Sequence, residues 1–577
     1  MRVRDRMSKK PIIEFKQFSF QYHSQAEPTL KDIDVTIYEG EKVLVVGPSG
    51  SGKSTFAHCI NGLIPNSYTG EITGSAFING KELAESSLMD LSFEVGTVLQ
   101  DTDSQFIGLT VAEDIAFALE NDEVPQMEMK KRVQHFAEVI GLTDHLRYRP
   151  QDLSGGQKQR VSMAGVLINE VPLMLFDEPL ANLDPAAGQK TIEWIDELHK
   201  TTHTTIVIIE HRLEDVLHRR VDRILVFDDG CIIYDGEPTA LLRTNLLSEV
   251  GIRDPLYVTA MKYAGVDLQQ VTSLAHVHEV AGSNLKEIME EWQASMSYKK
   301  EAVSSEELLR IENLSYRYGR RAPWVLKNIS VTFRKGEMIS IVGQNGAGKS
   351  TLSKVICGFV RTKNGDMSWK GTDFSTYSIK ERADHIGYVL QNPNEMISKT
   401  LIYDEVALGL VLRGFSEKET DERVKHILDI CGLAPFQDWP ISALSYGQKK
   451  RVTIASILVL NPEMIILDEP TAGQDFKHYT EIMQLLEKLR KDGITVVMIT
   501  HDMHLMLEYS TRALVFSKGQ MIADIEPVKV LTDETLTTKA ALKETSLFTF
   551  AEQLGLGDPY TFTEQFIAYD REVRKNE

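Results

Sequence analysis

Two glycine-rich stretches combine a lysine and a serine at the spacing G-x-x-x-x-G-K-S. They are Gly47, Pro48, Ser49, Gly50, Ser51, Gly52, Lys53 and Ser54 in one copy and Gly343, Gln344, Asn345, Gly346, Ala347, Gly348, Lys349 and Ser350 in the other. Glycines let backbone N–H groups turn inward around phosphate oxygens, and the N-terminus of a following helix adds a favourable dipole. The lysine can reach the β- and γ-phosphates, and the serine hydroxyl can ligate Mg²⁺. The sequence therefore predicts two sites for a nucleoside triphosphate, with ATP and Mg²⁺ as the expected cofactors.

The residues around each loop fit a strand–loop–helix unit. Apolar runs at 43–46 and 338–342 precede the loops, and helix-like segments follow them. We therefore place Thr55 and Thr351, the first residues after the serines, among the nucleotide-binding residues. The alternative is a glycine-rich turn without a ligand, and two matches in the same context disfavour it.

An aspartate followed by a glutamate ends each of two strongly apolar runs. Asp177 and Glu178 follow four apolar residues, and so do Asp468 and Glu469. Such a run predicts a buried parallel strand whose end presents the aspartate to Mg²⁺. The glutamate is then placed to orient or deprotonate an attacking water molecule. We predict the aspartates as metal ligands and the glutamates as catalytic residues.

The chain repeats itself once, at a nearly constant separation. The residues that recur in equivalent places are Gln100 and Gln391, Ser154 and Ser445, Asp177 and Asp468, Asp184 and Asp475, and His211 and His501. A repeat of this length indicates a duplicated domain rather than a solenoid. The fold class that we expect is α/β, with two tandem P-loop NTPase domains.

Length and composition are those of a multidomain globular protein. The chain has 577 residues and a net charge of −20, which disfavours wrapping around nucleic acid. We find no apolar run long enough to span a membrane, and no apolar segment typical of a secretory signal after the basic N-terminus. The four cysteines are scattered without a C-x-x-C pair, so buried thiols in a reducing cytosol are a better interpretation than a zinc or iron–sulfur site.

Alternating aromatic stretches stand at the start of each copy. Tyr22 and Tyr318 precede the two glycine-rich loops by the same distance. We predict that these tyrosines stack on the adenine ring, although aromatic residues on a strand can equally belong to the core.

Helical patterns complete the organisation. Charged, helix-patterned stretches lie between Gln100 and Leu153 and at the equivalent place in the second copy, which predicts a helical subdomain inserted into each core. A similar six-residue stretch recurs at 250–255 and 554–559. We therefore expect a helical tail on each copy. The predicted boundaries are 1–245 for the first domain, 246–305 for its tail and the linker, 306–530 for the second domain and 531–577 for its tail.

Residues 153–160 read LSGGQKQR and residues 444–451 read LSYGQKKR. Together with the loops, the carboxylates, the glutamines and the histidines, in this order, they resemble the ATP-binding-cassette (ABC) ATPase family over nearly the whole chain, twice. The resemblance implies that His211 and His501 contact the γ-phosphate and are catalytic. It also implies that Gln100 and Gln391 sense Mg²⁺ and couple to a membrane partner. The signature residues that it assigns to nucleotide binding are Ser154, Gly155, Gly156 and Gln157 in one copy and Ser445, Gly447 and Gln448 in the other.

The family also implies that the cassettes pair head-to-tail within the chain. One ATP would then lie between Lys53 and Ser445, and the other between Lys349 and Ser154. Tyr446 replaces the first glycine of the second signature and puts a bulky side chain where the backbone should approach phosphate. We therefore expect the site that contains Tyr446 to be slower.

Finer details are similar to the energy-coupling-factor (ECF) importers. The stretches concerned are 98–105 (VLQDTDSQ), 389–394 (VLQNPN), 209–212 (IEHR), 444–451 and 471–475 (TAGQD). This resemblance implies a peripheral protein at the cytoplasmic face of the cell membrane, with a transmembrane coupling subunit and a substrate-binding membrane subunit as separate partners. The cargo would be a vitamin, a thiamine precursor or a cobalt-like solute.

Other classes of tandem cassette remain as alternatives. Ribosome-acting proteins carry a long basic helical linker, and DNA-repair cassette proteins carry inserted zinc modules with cysteine pairs; the sequence shows neither. A tandem sugar-importer ATPase is a nearer alternative. Its second cassette, however, has often lost catalytic groups, whereas Glu469 and His501 are present here.

Overall fold

The computed structural model describes residues 9–99, 105–153, 155–181, 183–296, 305–362, 364–472 and 474–576. The chain divides into two units, Met1–Ile288 and Met289–Glu577. The boundary between them lies within the segment 246–305, which the sequence predicts to hold the first tail and the linker.

The strands of the first unit form two principal sheets and a small one. Their bounds are β1 (Pro11–Tyr22), β2 (Leu30–Tyr38), β3 (Lys42–Val46), β4 (Gly70–Ile78), β5 (Lys81–Glu82), β6 (Val95–Val98), β7 (Leu173–Asp177), β8 (Thr205–Ile209), β9 (Arg223–Asp228), β10 (Cys231–Gly236), β11 (Val271–Thr272) and β12 (Ala281–Gly282). One sheet is antiparallel in the order β2-β1-β4-β5, and the other has the order β10-β9-β3-β8-β7-β6. All pairs of the second sheet are parallel except β9 with β10.

Helices cover these sheets and build the insertion and the tail. They are α1 (Lys53–Ile60), α2 (Leu63–Asn66), α3 (Leu88–Ser92), α4 (Val111–Asn121), α5 (Gln126–Val139), α6 (Gly155–Leu167), α7 (Pro185–Thr202), α8 (Leu213–Val216), α9 (Pro238–Leu242), α10 (Leu246–Glu249), α11 (Leu256–Tyr263) and α12 (Leu285–Ser295). The last of these helices contains the boundary between the units.

The second unit repeats both sheets. Its strands are β13 (Glu307–Tyr316), β14 (Leu326–Arg334), β15 (Met338–Gly343), β16 (Asn364–Trp369), β17 (Thr372–Asp373), β18 (Ile386–Val389), β19 (Met464–Asp468), β20 (Thr495–Ile499), β21 (Arg512–Ser517) and β22 (Gln520–Ile525). They are arranged in the orders β14-β13-β16-β17 and β18-β19-β20-β15-β21-β22.

The helices of the second unit follow the same plan as far as the tail. They are α13 (Lys349–Ile356), α14 (Ile379–Arg382), α15 (Ile402–Leu412), α16 (Glu417–Ile430), α17 (Tyr446–Leu458), α18 (Phe476–Lys491), α19 (Met503–Tyr509), α20 (Pro527–Leu531), α21 (Glu534–Ala540), α22 (Ser546–Leu554) and α23 (Pro559–Asn576). The two similar six-residue stretches each lead into a helix, α11 in the first tail and α23 in the second.

The central strands explain why the apolar runs are continuous rather than alternating. Every residue of β3 and β8 is buried, as expected for parallel strands that are covered on both faces. The same holds for β15 and β20. The α/β fold class and the strand–loop–helix context of both glycine-rich loops are therefore confirmed.

The predicted helical insertion is present in both units. Helix α4 begins with a capping box, in which the side chain of Thr110 accepts from the backbone N–H of Glu113 and the Glu113 side chain accepts from that of Thr110. Helix α4 and helix α6 share a hydrophobic cluster, which includes Val111, Ile115 and Val161. This cluster fixes the helix that carries the signature residues to the insertion. The small sheet of β11 and β12 in the first tail was not expected from the sequence, because each of its strands has two residues.

Candidate active sites

Each glycine-rich loop ends at the N-terminus of a helix. Gly52 and Gly348 precede α1 and α13 in the left-handed region, with φ of 102° and 101°. A Cβ atom on Gly348 would lie 2.8 Å from the carbonyl oxygen of Val325, so both backbone angle and space demand glycine there. The helix N-terminus therefore faces the loop, as an anion site requires.

The lysine of each loop lies inside the loop. Lys53 is 5% exposed, and its Nζ donates to the carbonyl oxygens of Gly47 at 2.8 Å and Pro48 at 2.7 Å. In the second unit Nζ of Lys349 donates to the carbonyl oxygens of Gly343 at 2.7 Å and Gln344 at 3.1 Å. The two ammonium groups thus occupy equivalent places, within the loops that would hold the phosphates.

The glutamates predicted as catalytic bend away from the strands that carry the aspartates. Glu178 and Glu469 have φ of 47° and 45°, in the left-handed region, which costs a non-glycine residue on the order of 1 kcal/mol. Their backbone N–H groups donate to the carbonyl oxygens of Ile209 and Ile499, the last residues of the neighbouring strands, at 2.9 Å in each unit. These bonds hold the strained turn and aim the carboxylates toward the histidines.

In the first unit the glutamate and the histidine are hydrogen-bonded. Nε2 of His211 lies 2.9 Å from Oε1 of Glu178. Burial raises the pKa of Glu178, but the hydrogen bond from His211 and the charge of Lys53 lower it by more. The pKa of Glu178 therefore lies below its ordinary value. The group is a carboxylate at neutral pH.

The same pair in the second unit is looser. Nε2 of His501 lies 3.6 Å from Oε1 of Glu469. This oxygen atom has no hydrogen-bond partner among the described residues, whereas Oε2 accepts from the hydroxyl group of Thr500 at 3.5 Å. Burial, and then the neighbouring charge of Asp468, raise the pKa of Glu469 to about 8. The pKa values of the two glutamates are therefore shifted in opposite directions although their motifs match.

The aspartates have the character of cation ligands. Burial, Glu178 and Glu210 raise the pKa of Asp177 to about 6, and burial also raises the pKa of Asp468. Crowded buried carboxylates of this kind gain from a bound cation, so the residues fit Mg²⁺. In the second unit Ser350 is hydrogen-bonded to Asp468, which brings together two of the predicted metal ligands.

No group of three or more His, Cys, Asp or Glu side chains within the described ranges could hold a metal ion by itself. A magnesium ion at these aspartates would accordingly take its remaining ligands from the serine hydroxyl, water and the phosphates of the nucleotide.

The signature residues start helices. Gly155 is the first residue of α6, and Gln157 Nε2 lies 3.1 Å from Nε2 of His145. In the second unit the Ser445 side chain and Gln448 form a capping box at the start of α17. Two predicted site residues, Gln100 and Ser154, lie outside the described residues.

The tyrosines predicted to stack on adenine have equivalent positions. The hydroxyl of Tyr22 is 3.2 Å from Oγ1 of Thr55, and that of Tyr318 is 3.3 Å from Oγ1 of Thr351. Tyr318 is 59% exposed, so its ring is accessible beside the loop. Stacking on adenine stays a prediction that this placement permits.

Sequence reasoning missed two side chains that form hydrogen bonds with the backbone of Leu180 in the first unit. Buried Glu210 accepts from the backbone N–H of Leu180 at 3.1 Å, and Arg212 donates to the carbonyl oxygen of the same residue. The second unit has Thr500 and Asp502 at the equivalent places. A comparison of the residues around the two histidines would have shown this difference.

Sequence reasoning also missed Lys450. It lies at the position in α17 that Gln159 takes in α6, and its side chain is 1% exposed. A lysine in place of the glutamine in the second signature was the available signal.

Comparison with protein families gives two matches. The family described as ABC transporter matches residues 30–181 and 326–472. A second family, described as ATP-binding cassette cobalt transporter, matches residues 244–316.

Similar proteins extend over the whole chain. A protein of Enterococcus faecalis, named as an ABC transporter ATP-binding protein, is 66% identical over 98% of this chain and 100% of its own length. One of Clostridium perfringens with the same description is 54% identical over 98% of this chain and 100% of its own. A solved structure of cbiO1 from Clostridium perfringens, described as part of the ABC transporter complex cbiONQ, has 34% sequence identity and a TM-score of 0.38, and covers 41% of this chain and 94% of its own.

Proposed function

The chain belongs to the ATP-binding proteins of ABC transporters, which hydrolyse ATP to power transport, and we propose that it energises an importer of the ECF type. The observation that carries this proposal is that the sequence repeats the predicted catalytic residues in two cassettes, joined by a segment that matches the cobalt-transporter family. Among the described residues, none of the helices is long and apolar enough to cross a membrane. As the ECF resemblance implies, we also propose separate membrane subunits and a place for this chain at the cytoplasmic face of the membrane.

The residues of each cassette divide the work of hydrolysis. Lys53 and Lys349 bind the phosphates, and Glu178 and Glu469 orient or deprotonate the attacking water. Mg²⁺, held by the loop serines, by Asp177 and Asp468 and by Gln100 and Gln391, would neutralise phosphate charge when bound. His211 orients Glu178 through their hydrogen bond, and both histidines contact the γ-phosphate. In the nucleotide-bound state the two cassettes are proposed to pair head-to-tail, with each signature completing the other cassette's site.

The cargo is proposed to be a small solute, and cobalt is the favoured candidate. The description of the family that matches 244–316 supports a transition metal, whereas the ECF resemblance alone also fits a vitamin or a thiamine precursor. Uptake of radioactive cobalt and of labelled thiamine, with and without the gene for this chain, separates these candidates.

Isolation from detergent-solubilised membranes tests the function itself. The tagged chain is expected to bring down a polytopic coupling protein and a second, substrate-binding membrane protein, identified by mass spectrometry. Recovery of ribosomal proteins without any membrane protein would overturn the proposal and favour a soluble tandem ATPase. Recovery of sugar-permease subunits would favour the sugar-importer class.

A further inference from the structure

A buried lysine links the signature helix of the second cassette to the loop of its glutamine. Nζ of Lys450, in α17, donates to the carbonyl oxygens of Leu390 and Gln391, each at 2.8 Å. It also lies 3.5 Å from the carbonyl oxygen of Glu469. We refer to residues 390–398 as the Gln391 loop. One ammonium group thus joins the signature helix, the Gln391 loop and the turn that carries the catalytic glutamate.

A second donor from the same helix reaches the same carbonyl group. The hydroxyl of Tyr446 donates to the carbonyl oxygen of Gln391 at 3.2 Å. Tyr446 and Lys450 are four residues apart and therefore lie on one face of α17. The tyrosine that replaces a signature glycine directs its hydroxyl group to its own cassette's glutamine loop.

The first cassette uses the equivalent helix position differently. Gln159 donates to the carbonyl oxygen of Pro179, and its Oε1 accepts from Thr191 of α7 at 3.1 Å. Gly155, at the place of Tyr446, has no side chain that could donate. Among the described residues, Gln159 therefore contacts the segment after β7 and helix α7.

We propose that Lys450 and Tyr446 are positioning residues that fasten the Gln391 loop to the signature helix, so that the glutamine and the signature of the second cassette move as one body. The consequence for transport rests on the function proposed above. A membrane subunit that displaces the Gln391 loop would displace the signature of the second cassette with it.

We refer to the hydrogen bonds from Lys450 and Tyr446 to the Gln391 loop as the clamp. Its chemistry favours a charged donor. A buried ammonium group that is bound to several carbonyl oxygens makes charge-assisted hydrogen bonds, which are roughly twice as strong as neutral ones. Substitution by the shorter, neutral glutamine of the first cassette would lose most of this hold.

Hydrogen–deuterium exchange of the full chain, without nucleotide or membrane subunits, tests the clamp directly. We expect Lys450→Gln to speed exchange in the Gln391 loop by about tenfold, as expected for loss of a charge-assisted hydrogen bond. Tyr446→Phe removes one hydroxyl from a partly exposed side chain, and we expect it to speed exchange in the same loop roughly threefold. Exchange in the strand β19 stays unchanged in Tyr446→Phe.

Lys449→Gln is the matched control, because it makes the same chemical change one residue earlier on the same helix, and it should leave exchange in the Gln391 loop unchanged.

In steady-state hydrolysis Lys450→Gln is expected to lower kcat several-fold with KM for ATP unchanged, as for a residue that acts through Gln391. Unchanged loop exchange in both Lys450→Gln and Tyr446→Phe would overturn the clamp. The clamp would also be overturned if Lys450→Gln sped exchange equally throughout the second unit while Tyr446→Phe did not speed exchange at all. Neither result depends on the transported substrate.

Discussion

Nε2 of His211 lies 2.9 Å from Oε1 of Glu178, close enough to hold the glutamate as a hydrogen-bonded carboxylate. The equivalent atoms of His501 and Glu469 are 3.6 Å apart, and the pKa of Glu469 is raised to about 8. Two cassettes with the same motifs thus give different surroundings to the carboxyl groups that are predicted to be catalytic. The difference gives a physical basis for comparing the two sites experimentally.

Each glutamate can be tested by replacement of its carboxyl group with an amide. We expect Glu469→Gln to lower ATP turnover more than Glu178→Gln, because the proposed head-to-tail pairing joins Glu469 to the first signature, which retains both glycines. Loss of the water-positioning group should cost about a hundredfold or more at its own site. The measurement is steady-state phosphate release from the full chain with its membrane subunits. Equal losses in the two variants would contradict the asymmetry.

The number of nucleotides bound per chain tests the two loops. Lys53→Met and Lys349→Met each remove one buried ammonium group from the phosphate site, so each is expected to reduce binding of a fluorescent ATP analogue from two molecules per chain to one. The double variant should bind none at concentrations that saturate the wild type. Equilibrium dialysis gives the stoichiometry. Binding of two molecules by either single variant would contradict the assignment.

The tail of the first cassette holds a buried ion pair whose stability depends on pH. Nζ of Lys262 lies 2.7 Å from Oδ2 of Asp254, and burial raises the pKa of that carboxyl group despite the lysine. Lys262→Met leaves the carboxylate without its cation and should lower the free energy of unfolding by about 3 kcal/mol at pH 7.5. Without the cation the folded-state pKa rises further. The destabilisation therefore begins above the usual pKa of an aspartate, about 4, and grows as the pH rises through the folded-state value.

Urea unfolding at pH 5.0 and pH 7.5 measures this dependence. The loss in Lys262→Met should be smaller at pH 5.0, because more of Asp254 is protonated there. The matched control is the double variant Asp254→Asn with Lys262→Met, which buries no charge and should recover most of the stability at pH 7.5. A loss that is the same at both pH values would contradict the role of the carboxylate.

The cysteines should differ sharply in reactivity. Cys59, Cys357 and Cys431 are buried, and burial raises the pKa of each thiol, to about 12 for the last two. Little thiolate forms at pH 8, so these thiols are expected to react slowly. Cys231 is partly exposed. A disulfide reagent should label one thiol per folded chain and four in guanidinium chloride, and rapid labelling of more than one thiol in the folded chain would contradict this assignment.

Most of the candidate site was predictable because its motifs are local. A glycine loop, a lysine and a serine within eight residues, placed between an apolar strand and a helix, already specify Lys53 and Lys349 as phosphate-binding groups. The left-handed turns at Glu178 and Glu469 were not predictable, because neighbouring strands hold them through Ile209 and Ile499.

The sequence by itself determined the duplicated α/β architecture, and it predicted the two phosphate loops and the catalytic carboxylates, because short-range spacing sets each of these features. Only the tertiary structure decided which contacts the differing residues of the two copies make. Lys450 lies 60 residues from Leu390 in the chain, and His211 lies 33 residues from Glu178. Such contacts depend on how the sheet and the helices bring distant segments together, and the burial that shifts the pKa of Glu469 arises only from that packing.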